Sequence, residues 1–505
     1  MKYVDNFLNG ITMYKLVLYG LFVLAGIAVF LGFISVLPYS GLSLLFSFLL
    51  LAVVCYLTNY IIGTLLKVQT NVESASISSL ILFFILFPLS STSDIWIFVV
   101  AGVVAMASKY ILAIHKKHIF NPVAISVFLL GLFGVAVESW WIGSSVMLVP
   151  VVVLGLLLLR KVQRLQLFLS FFVGAVVTIL VVGLSRGSDL HQILMTAFLS
   201  GPILFFGLIM LTEPLTTPPS KKMQIVYGLL VGVLFGSQFH IGLLYSTPAL
   251  ALIIGNLFSY FVSPRARLVL TLAKKDKLSA DVYDFIWKTD QSFTFKAGQY
   301  LEWTLGHGRP DARGNRRYFT IASSPTEQEL HLGVKFYPDS SSFKTKLLSL
   351  EPGNQIIASQ LSGEFTLPND PKKKLVFIAG GIGITPFRSM IKYLLDSGER
   401  REVTLLFSNR TPSDIVYRDI FESAEEKIGI KTLYVVGSLA GATLERNMRV
   451  GSISADMIMK EVPDYLDCFY YVSGPPSMVS SFRGALASMG ISRSHVKTDF
   501  FPGYL

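Results

Sequence analysis

The chain is poor in cysteine, in histidine and in charge. Two cysteines, Cys55 in an apolar run and Cys468 near the end, cannot supply the four thiolates of an iron–sulfur cluster or a disulfide framework. Of seven histidines, His115 and His118 fall in a basic loop and His191 and His240 near the opposite ends of apolar runs. No two stand at matching depth to ligate a membrane haem, and no metal site is expected. Only 15% of 505 residues are charged while 52% are hydrophobic, which excludes one ordinary soluble domain. The net charge of +11 does not call for nucleic acid, because Lys and Arg gathered beside apolar runs account for it. No cleavable signal peptide is evident.

What is present is unevenly spread. Apolar runs of membrane-spanning length follow one another from Lys15 to Val262, and after Pro264 the composition turns to that of a soluble domain with charges of both signs. Ten spans are expected, at about 16–37, 41–63, 77–90, 94–113, 121–137, 144–159, 165–184, 193–211, 223–238 and 242–262. Several fall short of the ~20 residues a straight helix needs, which predicts broken helices. Cytoplasmic loops retain Lys and Arg. With both termini cytoplasmic, Lys2, Lys15, Lys67, Lys109, Lys116, Lys117, Arg160, Lys161, Arg164, Lys221, Lys222, Arg265 and Arg267 face inward, and Arg186 faces out. The expected setting is a multi-pass protein in the lipid bilayer of the cell (cytoplasmic) membrane.

An internal repeat runs through this half. Pro88, Gly102 and Pro122 fall on Pro214, Gly228 and Pro248 at one offset of 126 residues. Pro88-Leu89-Ser90-Ser91 recurs as Pro214-Leu215-Thr216-Thr217, and Asn121-Pro122 as Thr247-Pro248. Five spans per repeat, at about 12–137 and 138–263, place the second copy upside down relative to the first. A proline inside a span frees a backbone carbonyl that Asn, Thr or Ser beside it satisfies or turns toward a ligand; a plain kink is the alternative at each position.

The stretches LIMLTEPLTTPPSKKMQIVYGLLVGVL, FNPVAISVFLLGLFG and WWIGSSVMLVP resemble the B subunit of the sodium-pumping NADH:quinone oxidoreductase and the D subunit of the Rnf complex, over essentially residues 16–267. The resemblance implies a membrane domain that carries electrons on flavins. That family attaches FMN through a phosphoester to the threonine of a Ser-Gly-Ala-Thr segment upstream of its Asp-Pro. Here the segment reads Ser200-Gly201-Pro202-Ile203. Isoleucine has no hydroxyl, so no covalent FMN is expected at Ile203, and the pocket is left to a non-covalent flavin (FMN or riboflavin) or a quinone. Glu213 stands where the family usually has Asp, either as a contact for a cofactor or ion or as an acid facing cytoplasmic water.

Between 265 and 370 the segments RLVLTLA, DVYDFIW, YLEWTL, YFTIAS and HLGVKFY alternate with Gly and Pro turns, which predicts a small antiparallel β-barrel. From 371 to 505 KLVFIAGGIGITPFRSMIKYLL reads strand, glycine-rich turn, helix. Further buried strands alternate with helices, which predicts an α/β domain with a parallel nucleotide-binding sheet. The turn Gly380-Gly381-Ile382-Gly383-Ile384-Thr385-Pro386 suits a pyrophosphate approaching backbone amides, although a tight structural turn reads the same.

RRYFTIASSP, SSFKTKL, GGIGITPF, YYVSGPPSM and the terminal DFFPGY occur in the order and spacing of the ferredoxin-NADP reductase family, which residues 267–505 resemble. The resemblance implies FAD reduced by NADH or NADPH. It places Arg317 on the FAD pyrophosphate, Tyr318 in the same motif, Phe319 beside the flavin and Thr320 at its N5 edge. Lys335 on the next strand and Ser341-Ser342 in the following turn resemble the second part of the cofactor clamp. Gly380, Gly381, Gly383, Thr385 and Pro386 hold the nicotinamide nucleotide, and Gly474, Pro475 and Pro476 close its pocket. Ser473 stands where the family commonly has cysteine, Asp499 is the acid near the hydride path, and Phe500 or Tyr504 covers the flavin. Asn409 and Arg410 either bind the adenosine ribose or its 2′-phosphate, or cap a strand.

The whole predicts a membrane-bound oxidoreductase that passes electrons from NAD(P)H via FAD into or across the membrane to a membrane flavin, a quinone or an extracytoplasmic acceptor, with partner subunits possible. A reading of another class is an ion- or flavin-transporting protein coupled to the same reductase.

Overall fold

The computed structural model describes residues 4, 7, 8, 11–66, 72–114, 117–242, 244–263, 267–308, 311 and 314–499. Two compact units divide the chain, Met1–Arg265 and Ala266–Leu505. Pro264, His115 and the basic residues Lys2, Lys67, Lys116 and Arg265 lie outside the described residues.

The first unit is helical, and each expected apolar run carries a helix: α1 (Met13–Phe33), α2 (Gly41–Leu65), α3 (Val72–Ile85), α4 (Ile95–Ile111), α5 (Pro122–Leu132), α6 (Leu148–Val162), α7 (Leu165–Ser185), α8 (Leu190–Leu199), α9 (Ile203–Phe205), α10 (Lys221–Gly236) and α11 (Pro248–Val262). α9 runs on as a π-helix over Phe206–Met210. Among the described residues four elements are long and apolar enough to cross a membrane (α1, α2, Thr92–Ile111 and α7), and a fifth if α8 and the helix after it, bent by 51°, count as one. The remainder are short. α5 has 11 residues and rises only ~16 Å, about half of a ~30 Å bilayer core.

The helices follow the register of the repeat, α4 matching α10 and α5 matching α11. Two-residue β-ladders recur with them, 113–114 against 117–118 and 240–241 against 244–245. None of the four anchor prolines lies in the interior of a helix, which corrects the expectation of prolines part-way along spans. Pro122 and Pro248 open α5 and α11, where Asn121 accepts from the amides of Val123 and Ala124 and Thr247 from that of Leu250. Pro88 and Pro214 lie beyond the ends of α3 and the π-helix. A first-turn proline sacrifices no intrahelical bond and frees no carbonyl.

The anchor glycines have a packing cause. Gly102 on α4 faces Val54 and Cys55 of α2, and Gly228 on α10 faces Leu167 and Ser170 of α7. Gly228, Gly232 and Gly236 recur at four-residue spacing and so share one face of α10. A Cβ at Gly232 would come within 2.4 Å of the Phe171 carbonyl oxygen, and one at Gly236 within 2.8 Å of that of Ala175. Small residues in this pattern bring two membrane helices into backbone contact. Gly232→Val is therefore expected to destabilise the unit by ~1–3 kcal/mol or more, read as a lowered melting midpoint in detergent. Gly26→Ala, with nothing within 4 Å, should leave the midpoint unchanged or raise it.

The second unit opens with strands β1 (Leu268–Lys277), β2 (Val282–Thr289), β3 (Tyr300–Thr304), β4 (Arg316–Thr320), β5 (Leu330–Lys335) and β6 (Gln355–Ser362), with α12 (Ser342–Leu348) before the last. They form one antiparallel sheet in the order β4-β3-β6-β1-β2-β5. The Ala322 amide donates to the His331 carbonyl at 2.9 Å and so links residues following β4 to β5 at the opposite edge. Trp287, Trp303, Phe285 and Leu301 fill the core of this sheet.

Strands β7 (Leu375–Gly380), β8 (Val403–Asn409), β9 (Lys431–Val436), β10 (Met448–Val450), β11 (Phe469–Ser473) and β12 (Val496–Asp499) follow, joined by α13 (Thr385–Ser397), α14 (Arg418–Ile428), α15 (Ala455–Glu461) and α16 (Pro476–Ser488). All six pair in parallel in the order β10-β9-β8-β7-β11-β12. β7 is buried along its whole length, as a central strand covered on both faces must be. The strand order reverses between β7 and β11, and ligands of open α/β sheets bind beyond the carboxyl ends at such a switch.

Candidate active site

Strand register brings three of the sequence-derived residues to that switch. Ala379 lies opposite Ser473, and Ser473 opposite Asp499. Thr320, the last residue of β4, donates to Asp499 Oδ2 at 3.5 Å. Thr320 and Ser473 are buried, while Asp499 is half-buried. Burial pushes the Asp499 carboxyl up to about 7, against a smaller lowering by the Thr320 hydroxyl.

The glycine turn divides into two jobs. A Cβ at Gly383 would stand 2.5 Å from the Ser473 carbonyl oxygen, and one at Gly380 2.2 Å from Met478 Sδ. Gly474 lies with Gly380 Cα 3.3 Å from where its own Cβ would be. These three glycines let the ends of β7 and β11 close on each other. Gly381 differs, with a left-handed φ of +51° and open space at the Cβ position. Thr385 donates to the Ile382 carbonyl at 3.3 Å, Pro386 sits in the first turn of α13, and Pro475 precedes α16.

The residues assigned to FAD gather around the loop before β4. Arg317 is buried and donates to the carbonyls of Gly314 (3.1 Å) and Arg316 (2.7 Å), with Phe343 beneath the guanidinium. Asp311, which sequence reasoning passed over, joins the two halves of the expected clamp. Its Oδ1 lies 3.5 Å from Arg317 Nη2, its Oδ2 accepts from the Ser342 amide at 3.1 Å, and its own amide donates to Ser342 Oγ at 2.9 Å. Ser341 caps α12. The Tyr318 hydroxyl donates to Glu302 at 2.9 Å, and the Phe319 ring packs on Phe343. Lys335 instead pairs with Asp281 at 3.0 Å. The backbone carbonyls of Asn409 and Arg410 accept from the amides of Gly437 and Ser438, which ties the ends of β8 and β9 and leaves the Arg410 side chain exposed. Phe500 and Tyr504 lie outside the described residues.

In the helical unit a cavity is lined by Tyr14, Ser74, Ser78, Asn121, Thr212 and Glu213 among apolar residues. Asn121 Nδ2 donates to Glu213 Oε2 at 2.9 Å, and the Asn121 amide donates to Asn256 Oδ1 at 2.8 Å. This is where Glu213 points, a polar end on an apolar cavity. Ile203 is 1% exposed, with Phe205 two residues further on packed on Phe84 at 5.6 Å, and a Cβ at Gly143 would come within 2.6 Å of the Gly201 carbonyl oxygen. Position 203, where the attachment needs a hydroxyl, carries a buried isoleucine, so covalent FMN does not fit there.

Residues 132–266 match the model of the NQR2, RnfD, RnfE family, and residues 377–484 match that of the oxidoreductase NAD-binding domain. The chain joins an NQR2/RnfD/RnfE-family domain to an oxidoreductase NAD-binding domain. The glycine betaine monooxygenase reductase subunit of Chromohalobacter salexigens is 28% identical over 226 residues, 44% of this chain and 60% of that protein. The stachydrine N-demethylase reductase subunit Stc4 of Rhizobium meliloti is 31% identical over 193 residues, 37% of this chain and 54% of that protein. The chain thus spans 60% or less of the length of these curated relatives. Among solved structures, Amycolatopsis cytochrome P450 reductase GcoB aligns with TM-score 0.42 and 23% identity over 47% of this chain and 70% of that one.

On β12, opposite Ser473, Asp499 offers a pH test. Its folded value of about 7 exceeds the ordinary 3.8, so the folded state holds the proton more tightly. The stability this contributes is present below about pH 4 and is lost as pH rises through about 7. Asp499→Asn cannot ionise. Its melting midpoint should gain on that of the unaltered chain between about pH 4 and about pH 7; parallel curves would count against the shift.

Proposed function

We propose that this chain is a membrane-bound NAD(P)H oxidoreductase that passes electrons via FAD into or across the membrane to a membrane flavin, a quinone or an extracytoplasmic acceptor. The observation that carries the reading is the meeting of Thr320, Ser473 and Asp499 at the switch point of a parallel sheet that matches an oxidoreductase NAD-binding domain. The domains implied are 1–264 in the membrane, 265–370 for FAD and 371–505 for the nucleotide.

Arg317, Tyr318, Phe319, Ser341 and Ser342 would hold FAD. The donor set suits a diphosphate, because the Asp311 carboxylate already bridges Arg317 and the Ser342 amide, and phosphate oxygens take the same donors. When bound, FAD supplies the capacity to take up a hydride and pass electrons on. The Thr320 hydroxyl holds a hydrogen-bond partner at the reacting edge. Asp499, titrating near neutrality, would take or give a proton there, and Ser473 would contact the nicotinamide. Around Gly381 the open backbone admits the nucleotide's phosphates.

Fusion to an NQR2/RnfD/RnfE-family domain supports delivery of the electrons to the membrane. The Asn121–Glu213 cavity would take a non-covalent flavin or a quinone. It equally supports a second reading, a carrier of an ion or a flavin coupled to the reductase.

Arg317→Ala is expected to raise the Kd for FAD roughly 10–100-fold, the loss of charge-assisted bonds, measured by the fluorescence of released flavin. In sealed vesicles, NAD(P)H supplied at the cytoplasmic face should reduce an acceptor in the bilayer or on the far side. Oxidation of NAD(P)H with neither acceptor reduced would defeat electron delivery, and a sodium gradient built in step with turnover would favour the carrier.

A further inference from the structure

One guanidinium ties the glycine turn to the strand that carries Thr320. Arg388 lies in the first turn of α13, three residues beyond Thr385, and is 4% exposed. Its Nη1 donates to the Ala322 carbonyl at 3.0 Å and its Nη2 to Glu327 Oε1 at 2.9 Å, and a further bond joins Nη1 to Glu327 Oε2. Beside it Ser389 Oγ donates to the Ser323 carbonyl at 2.6 Å. Glu327 is itself held, accepting from the Ser324 amide at 2.6 Å with His331 Nε2 3.9 Å away, and His331 Nδ1 meets Asp284 at 2.8 Å. Ala322 is two residues beyond Thr320. The helix that starts at the nucleotide turn is thus fastened to the segment that leaves the reacting edge.

The opposite face of Arg388 is fixed by Tyr417, whose ring centre lies 5.4 Å from the guanidinium carbon. Tyr417 has a left-handed φ of +59°, a strained conformation for an aromatic residue that surrounding structure must hold in place. Its hydroxyl occupies the space left by Gly333 on β5, where a Cβ would stand 2.6 Å from that oxygen and 2.9 Å from Thr385 Cγ2.

We propose that Arg388 is a positioning residue for hydride transfer, setting through Ala322 and Glu327 the separation between the nucleotide turn and the flavin-binding edge. The proposal rests on the reductase reading above. Reacting atoms must approach to ~3–3.5 Å, and a displacement of ~1 Å costs on the order of 10²-fold in rate. Charge alone does not meet the need. A lysine ammonium balances Glu327 but lacks the planar fork that reaches one carbonyl and both carboxylate oxygens at once.

The test uses the full chain loaded with FAD, comparing Arg388→Lys and Glu327→Gln with the unaltered protein. Rapid mixing with NADH or NADPH gives the limiting rate of flavin reduction, the nucleotide Kd and the long-wavelength charge-transfer absorbance of the stacked rings. Expected is a limiting rate lowered ~10–100-fold in Arg388→Lys and less in Glu327→Gln, with weaker charge-transfer absorbance, full flavin content and a nucleotide Kd changed less than ~twofold. Limiting rates and charge-transfer absorbance at the unaltered level would overturn the proposal. So would a rate loss in Arg388→Lys that only follows lost flavin or lost folding while folded Glu327→Gln runs at full rate. An unaltered chain that binds flavin but is reduced by neither nucleotide would instead overturn the reductase reading.

Discussion

Where Gly383 meets the Ser473 carbonyl, a methyl group would stand 2.5 Å from oxygen, and the absence of that methyl lets the carboxyl ends of β7 and β11 converge. The switch point, the alignment of Ser473 with Asp499 and the reach of Thr320 to that carboxylate all depend on this closure. The helical half uses the same device. Gly232 lies against the Phe171 carbonyl, and α7 and α10 take their spacing from backbone rather than from side chains. Contacts of this kind tolerate no added atom, because close-packed interiors leave nowhere for the displaced group to go.

Around the switch point of the parallel sheet charges are paired. Arg388 is neutralised by Glu327, Lys335 by Asp281, and Arg317 is surrounded by carbonyl oxygens with Asp311 at hand. A buried cation without such partners would be costly. Asp499 stands apart: burial raises its proton affinity until it titrates near neutral pH, which is where a proton-handling group is most useful.

The membrane half shows how one residue can redirect a family resemblance. A phosphoester needs a hydroxyl, and Ile203 has none; the fold then fills that neighbourhood with aromatic side chains. Elsewhere in the helical unit Asn121 and Glu213 form the polar end of an apolar cavity. Asn121 does two things there, capping α5 with its oxygen and donating to Glu213 with its nitrogen.

Both halves, the succession of apolar runs and the change from antiparallel to parallel strands were legible in the residues, whereas Thr320, Ser473 and Asp499 were named through a family resemblance and it is the fold that brings them together. Periodicity and motif order are local properties, and the register of a strand follows from them. The exclusion of covalent FMN at Ile203 was also complete at that level, because bond chemistry depends on which atoms a residue owns. The uses of individual glycines and prolines were not. Gly383 and Gly232 answer to carbonyls far away in the chain, Pro122 and Pro248 begin helices rather than bending them, and Asp311 and Arg388 gain their roles only from partners on other elements. The sequence by itself determined what chemistry each residue can perform. Tertiary structure alone decided which residues stand within a few ångströms of each other, because van der Waals exclusion and hydrogen bonding act over those distances and carry no trace in a linear pattern.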